Sequence, residues 1–208
     1  MTPVPRRPLP PEEARRLLRR LAPPDERWPR HCLQVARVAR RLGEALRAAG
    51  VEFDLDLLES QALLHDVGRA RTHGPLHGWT GWVLLRSMGH APEGRGCLTH
   101  WLKGRSPEEV VAAGFRPHVV AQAFAALEPV PWDLADSALS VADSSVRHDV
   151  VVPMAERHAD LLERYGDSDW LRRHAELGAA HAAAIEEVVG VPLDELLAPL
   201  HGPLPETD

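Results

Sequence analysis

The chain has 208 residues, 44% of them hydrophobic and 26% charged, a composition that excludes a disordered or fibrous protein and allows one sizeable core. A formal net charge of −6 excludes a global basic field, so no nucleic-acid partner is expected. Two cysteines without metal-finger spacing suit a reducing compartment, and no apolar run reaches the roughly 18 residues of a membrane span, so a soluble, cytoplasmic protein without a membrane partner is expected.

Residues 1–10 are proline-rich and predict a loose arm. Pro11 at a first turn, Glu12 and Glu13 at the positive end of the helix dipole, and Leu17, Leu18 and Leu21 at helical spacing predict a first helix, stopped by Pro23 and Pro24. A second opens between Asp25 and Pro29, runs to about Ala49 and closes at Gly50. His31, Val35, Val38 and Leu42 fall on its core-facing stripe, with Arg37, Arg40, Arg41 and Arg47 outside. Alone, His31 reads as a core histidine; its partners elsewhere change that reading.

Asp54 caps a third helix, with Leu55, Leu58, Ala62 and His65 at core spacing and Gly68 as its expected stop. Its apolar run ends in His65-Asp66, where a buried imidazole and acid need something to neutralise them. Gly74-Pro75 is a turn, after which His77, Gly81, Leu84 and Met88 share a stripe. Gly89 to Gly96 is expected to be a loop, followed by a short segment holding Cys97, Leu98, His100 and Trp101. Ser106-Pro107-Glu108-Glu109 has the pattern of a capping box.

Pro117 starts a further helix, and Pro129 to Pro131 break the chain before one from about Trp132 to Val146. There Leu139, Asp143 and Val146 share a face, so the acid points inward from mid-helix, where capping does not explain it. The tail holds two or three helices broken at Gly166-Asp167 and Gly190, and only a valine run at 150–152 reads as strand. The expected fold is all-α: one domain over 11–208, with a core over about 28–147 and a helical extension over about 150–200. Leu161, Leu162, Leu171, Leu177 and Ile185 of that extension suit either a cap on the domain or a homodimer interface.

His31, His65, Asp66 and Asp143 form a set able to close on one divalent ion. Adjacent helical side chains diverge by about 100°, so His65 and Asp66 reach such an ion from two sides. Imidazole and carboxylate without cysteine suit Fe, Mn, Zn or Mg, and leave positions for a water that ionises near neutral pH.

His31, His65-Asp66 followed by Val67-Gly68-Arg69, and Asp143 within Val141-Ala142-Asp143 together resemble the HD-domain metal-dependent phosphohydrolase superfamily over residues 28–147. The resemblance implies an HD-type helical bundle and hydrolysis of a phosphate ester or anhydride. His77-Gly78-Trp79-Thr80-Gly81 and His100 followed by Gly104-Arg105 resemble elements of the symmetrical dinucleoside-tetraphosphate hydrolases. That likeness implies a second metal on His77 and His100, bridged by Asp66, and a nucleotide or dinucleoside polyphosphate as substrate. The stretch from Gly68 to Gly74, with Ser106 to Gly114 downstream, is more similar to an uncharacterised HD branch.

Arg69 stands where relatives carry a lysine, and can bind phosphate through two donors but cannot serve as a proton donor. The chain has no adjacent histidine pair at His100 and no Gly-Tyr-Pro signature, which argues against cyclic dinucleotides. Catalytic roles are expected for Asp66, Arg69 and His73, and phosphate binding for Arg69, Lys103 and Arg105. His73 lies four residues before His77, so a helical turn would place both on one face; a surface loop is the alternative. Two further functions are consistent with the same ligands: a dinuclear iron oxygenase, and a non-catalytic nucleotide-binding protein.

Overall fold

The computed structural model describes residues 7–205. The chain forms α1 (Pro11–Leu21), α2 (Trp28–Ala48), α3 (Leu55–Leu64), α4 (His77–Ser87), α5 (Ala91–Leu102), α6 (Pro107–Ala112), α7 (Pro117–Leu127) and α8 (Leu134–Ser144). After α8 come β1 (Val146–Arg147), β2 (Val150–Val151), α9 (Met154–Tyr165), α10 (Asp169–Val189), α11 (Leu193–Leu197) and β3 (Gly202–Pro203). The class is all-α, as the periodicity predicts, apart from these two-residue strands, which pair antiparallel in the order β1-β2-β3. Among the described residues no helix is long and apolar enough to cross a membrane.

The centre of the bundle is α2, packed on α3 and α8. Val35, Val38, Leu42 and Leu46 on its inner stripe are fully buried, as are Leu63 and Leu64 of α3 and Leu139 of α8. Each such side chain contributes about 1.5–3 kcal/mol, against at most about 1 kcal/mol for an exposed ion pair such as Arg40–Glu44. The apolar stripe therefore decides how α2 is rotated, and His31 is carried inward on it. Asp136 of α8 ties down α5 through a two-pronged bond from Arg95, Nε to Oδ1 at 3.1 Å and Nη2 to Oδ2 at 2.6 Å.

Helix starts follow the sequence signals. Asp54 accepts the Leu57 amide at 3.0 Å, Ser106 and Glu109 form a complete capping box, and Asp133 and Asp136 form another. Two expectations are corrected. The third helix stops at Leu64, ahead of Gly68, and Val67–Ala70 form a 3-10 turn. Gly68 is there for closeness instead: a Cβ on it would lie 1.9 Å from the His77 carbonyl oxygen. The stretch from Gly89 to Gly96 is not a loop, because α5 opens at Ala91 with Pro92 in its first turn. Gly96 lets that helix press against α3, where a Cβ would come within 2.7 Å of Gln61 Cβ.

The expected loose arm falls partly on residues 1–6, which lie outside the described residues. Leu9 is fastened through both of its backbone polar groups: its amide donates to Glu93 Oε1 at 2.5 Å and its carbonyl accepts from Ser60 Oγ at 2.8 Å. In the extension, α10 packs against α8 and α2, burying Leu177 and Ile185, and α9 packs beside α8. The tail thus forms one wall of the cleft described next.

Candidate metal centre

Five elements bring six side chains together. His31 lies in the first turn of α2; His65 and Asp66 follow the last turn of α3; His77 opens α4; His100 lies in the last turn of α5; Asp143 lies in that of α8. Three helices thus end at the site and two begin there, so their opposed dipoles largely offset and the side chains set the local electrostatics. Locally, α3 is buried on nearly every side from Leu58 to Leu64, its polar Glu59, Ser60 and Gln61 included, and it ends at Leu64, so His65 and Asp66 follow inside the core.

All four imidazoles are oriented alike. Nδ1 of His31 donates to the His148 carbonyl at 2.8 Å, that of His65 to Ala62 at 2.7 Å, that of His77 to Gly74 at 3.0 Å and that of His100 to Gly96 at 3.1 Å. A carbonyl can only accept, so each ring keeps its proton on Nδ1 and presents the Nε2 lone pair inward. The two carboxylates are divided in the same way. Asp143 gives Oδ2 to Lys103 Nζ at 3.1 Å and turns Oδ1 toward His31 Nε2 at 3.2 Å and His65 Nε2 at 3.9 Å. Asp66 gives Oδ2 to Arg69 Nε at 2.5 Å and turns Oδ1 toward His77 Nε2 at 3.3 Å and His100 Nε2 at 3.5 Å.

The result is two half-sites, each a carboxylate oxygen facing two imidazole nitrogens, with His65 Nε2 also 3.9 Å from Asp66 Oδ2 between them. These inward atoms are all acceptors. Nε2 of His77 and of His100 face each other at 3.2 Å, an arrangement of lone pairs that calls for a proton or cation. His65 Nε2 and Asp66 Oδ1 are buried with no hydrogen-bond partner, and buried atoms of that kind cost about 1–3 kcal/mol or more if left so.

Protonation does not supply the missing partner near neutral pH. Burial pushes His65 down to about 3, against the pull of Asp66, and His77 down to about 4. Burial opposes ionisation of Asp66, yet Arg69 and the surrounding imidazoles hold its carboxyl well below the usual range. Lys103 and His31 do the same for Asp143. Two anions with lone pairs around them therefore fit a divalent cation in chemical type and in geometry. Cys32 and Cys97 are buried, with thiols pushed up by burial, and take no part.

The structure brings His31, His65, Asp66, Asp143, His77 and His100 together, with Arg69 at their edge. It does not bring Arg105 or His73 to them. Arg105 is buried, its guanidinium 3.8 Å over the Trp170 ring, with Nη1 and Nη2 donating to the Leu102 and Trp170 carbonyls. Lys103 lines the cleft but is 1% exposed, fixed on Asp143, on the Ser140 carbonyl and hydroxyl and on Ser144 Oγ. Its ammonium is thereby committed to Asp143 and α8 instead of being open to the cleft. Residues 72–76 are not helical, so His73 and His77 do not share a helix face, and the His73 side chain stays 62% exposed at the rim beside Glu26.

Sequence reading missed two contributors. His148 takes φ +58° in the two-residue hairpin between β1 and β2, and the hairpin aims its carbonyl at His31. The cleft over the cluster, about 1100 Å³, is closed on one side by α9 and α10, which contribute Arg157, Arg164, Tyr165, Trp170 and His174.

A family model described as HD domain matches residues 30–147, more than half of the chain. An uncharacterized protein of Methanocaldococcus jannaschii is 46% identical over 59 residues, a stretch covering 28% of this chain and 35% of that protein. No solved structure matches the chain.

Proposed function

The chain belongs to the HD domain family, and from that premise we propose that it is a metal-dependent phosphohydrolase acting on a phosphate ester or anhydride of a nucleotide or dinucleoside polyphosphate. The observation that carries the reading is the division of labour in the cluster. Each carboxylate spends one oxygen on an internal cation and shares the other with two proton-free imidazole nitrogens.

Asp143 Oδ1, His31 and His65 would hold one ion and Asp66 Oδ1, His77 and His100 a second, with Asp66, whose Oδ2 lies 3.9 Å from His65 Nε2, as the expected residue shared between them. When bound, the metal supplies Lewis acidity toward phosphoryl oxygens and a water that ionises near neutral pH. The chain's own groups do the rest. Backbone carbonyls fix the four tautomers, so no ring has to rotate before it binds. Lys103 holds Asp143 in one orientation. Arg69 commits Nε to Asp66 and lines the cleft, which leaves its other guanidinium donors for a phosphoryl oxygen. The cleft's 1100 Å³ accommodates a nucleotide-sized molecule.

The test is release of phosphate or nucleotide from a panel of mononucleotides, dinucleoside polyphosphates and simple phosphate esters by Mn²⁺- or Fe²⁺-loaded protein. Loss of activity in His65→Ala and Asp66→Ala supports the reading. A metal-replete wild type that is inert across the panel overturns it, and oxygen uptake by the iron-loaded sample would redirect it to an oxygenase.

A further inference from the structure

Several cations line the cleft, some of them on the wall of α9 and α10 that lies outside the residues matched by the family model. Most are already engaged. Lys103 is bound to Asp143, Arg30 Nε to Asp149 at 2.7 Å, and Arg147 Nη1 to Glu156 at 2.8 Å. Arg164 is 3.5 Å from Asp160 and lies over the Tyr165 ring.

Arg157 of α9 differs from these. Its side chain is 14% exposed, and Asp160 engages Nη1 at 2.6 Å, but Nε is buried with no hydrogen-bond partner. With Nη1 alone paired, the guanidinium is only partly satisfied, and the part of it that is open to the cleft can take a further acceptor there. The same cleft lining includes His174 of α10, whose Nε2 lies 3.5 Å from Ser144 Oγ. Burial, with the charges of Lys103, Arg105 and Arg157, keeps this imidazole well below the usual histidine range against the pull of Asp143. It is therefore a neutral polar neighbour rather than a second cation. Ser144, which His174 approaches, follows Asp143 in α8, so this wall stands on the Asp143 side of the metal cluster.

We propose that Arg157, seconded by His174, binds a second anionic group of the substrate, a phosphate or carboxylate that is not the one attacked. The substrate class is then a molecule with two separated anionic groups, one reaching the Asp66–Arg69 end and the other the wall of α9 and α10. For what the anion belongs to, this inference rests on the phosphohydrolase reading.

The probe is inorganic phosphate, titrated by calorimetry into chelator-treated full-length protein, where the carboxylates of the metal cluster repel it. Wild type is expected to bind it, Arg157→Gln at least tenfold more weakly, and Asp160→Asn, which frees Nη1, at least as tightly as wild type. Arg172→Gln, on α10 and paired with Asp167 and Asp169, should stay within twofold. Melting curves on each variant show that the fold is kept, and Asp160→Asn carries the test should Arg157→Gln not fold. With a turned-over substrate of two anionic groups, Arg157→Gln should raise KM at least tenfold, and free succinate against free phosphate as competitors distinguishes a carboxylate from a phosphate. Equal phosphate binding by wild type and Arg157→Gln, or no binding by wild type, overturns the inference. Turnover with an unmoved KM overturns it while sparing the hydrolase; binding through Arg157 without any turnover does the reverse.

Discussion

Lys103→Met is the perturbation that tests most sharply how the cluster is held together. The lysine is 1% exposed and its ammonium makes four contacts, to Asp143 Oδ2, the Ser140 carbonyl, Ser140 Oγ and Ser144 Oγ. Methionine keeps most of the volume and removes the charge, so packing changes little while Asp143 loses its balancing cation. Breaking a buried pair from one side costs about 3–5 kcal/mol, and a chain of this size loses roughly 2–4 °C of Tm per kcal/mol. The metal-free variant should therefore melt roughly 6–20 °C below wild type by scanning calorimetry. A saturating divalent ion should return part of the loss, since it places positive charge on the other oxygen of the same carboxylate. Lys103→Met combined with Asp143→Asn should be more stable than Lys103→Met alone, because neither partner is then charged. A metal-free Lys103→Met that melts within about 2 °C of wild type would refute the reasoning.

Other outcomes follow from the same geometry. His65 and His77 titrate near 3 and 4 when folded and near the ordinary histidine value when unfolded, so their contribution is complete above that value and lost as pH falls through the window down to 3. Each should remove about 1.4 kcal/mol of metal-free stability per pH unit across its window, measured by urea unfolding between pH 7 and 4.5; a flat profile there contradicts the assignment. Gly68→Ala should cost at least about 1–3 kcal/mol and displace His77, lowering metal content while His31 and His65 stay in place, because its Cβ would meet the His77 carbonyl. Arg69→Lys should reduce kcat more than metal content, since a point charge replaces a fork that reaches both Asp66 and the cleft; equal losses in both would say that Arg69 only supports the metal site.

Much of this was legible in local chemistry. Prolines, caps and the apolar stripe of α2 act over one or two turns, so their signals survive in sequence; His31, His65 and Asp143 were readable because a polar group on a core stripe is locally anomalous. Direction after a helix end is less readable. Lys103 and Arg105 follow His100 closely, and that closeness suggested phosphate binding, but Lys103 and Gly104 both take positive φ and turn the chain so that one side chain backs Asp143 and the other stacks on Trp170. Glycine was ambiguous for a related reason. Gly68 and Gly96 read as stops or loop residues, whereas each marks a close approach to another helix that only the tertiary fold specifies. Arg157 and His174 carried no local signal, since the cleft they line is built by α9 and α10 folding back past α8.

The central claim is that the two carboxylate–imidazole half-sites hold divalent metal. Anomalous diffraction at the metal edge, on crystals of protein loaded with Mn²⁺ or Fe²⁺, tests it most directly. Two peaks are predicted, one bonded to His31, His65 and Asp143 and the other to Asp66, His77 and His100, with the second peak lost in His77→Ala. Fully loaded wild-type crystals that show no peak among these six side chains would contradict the account.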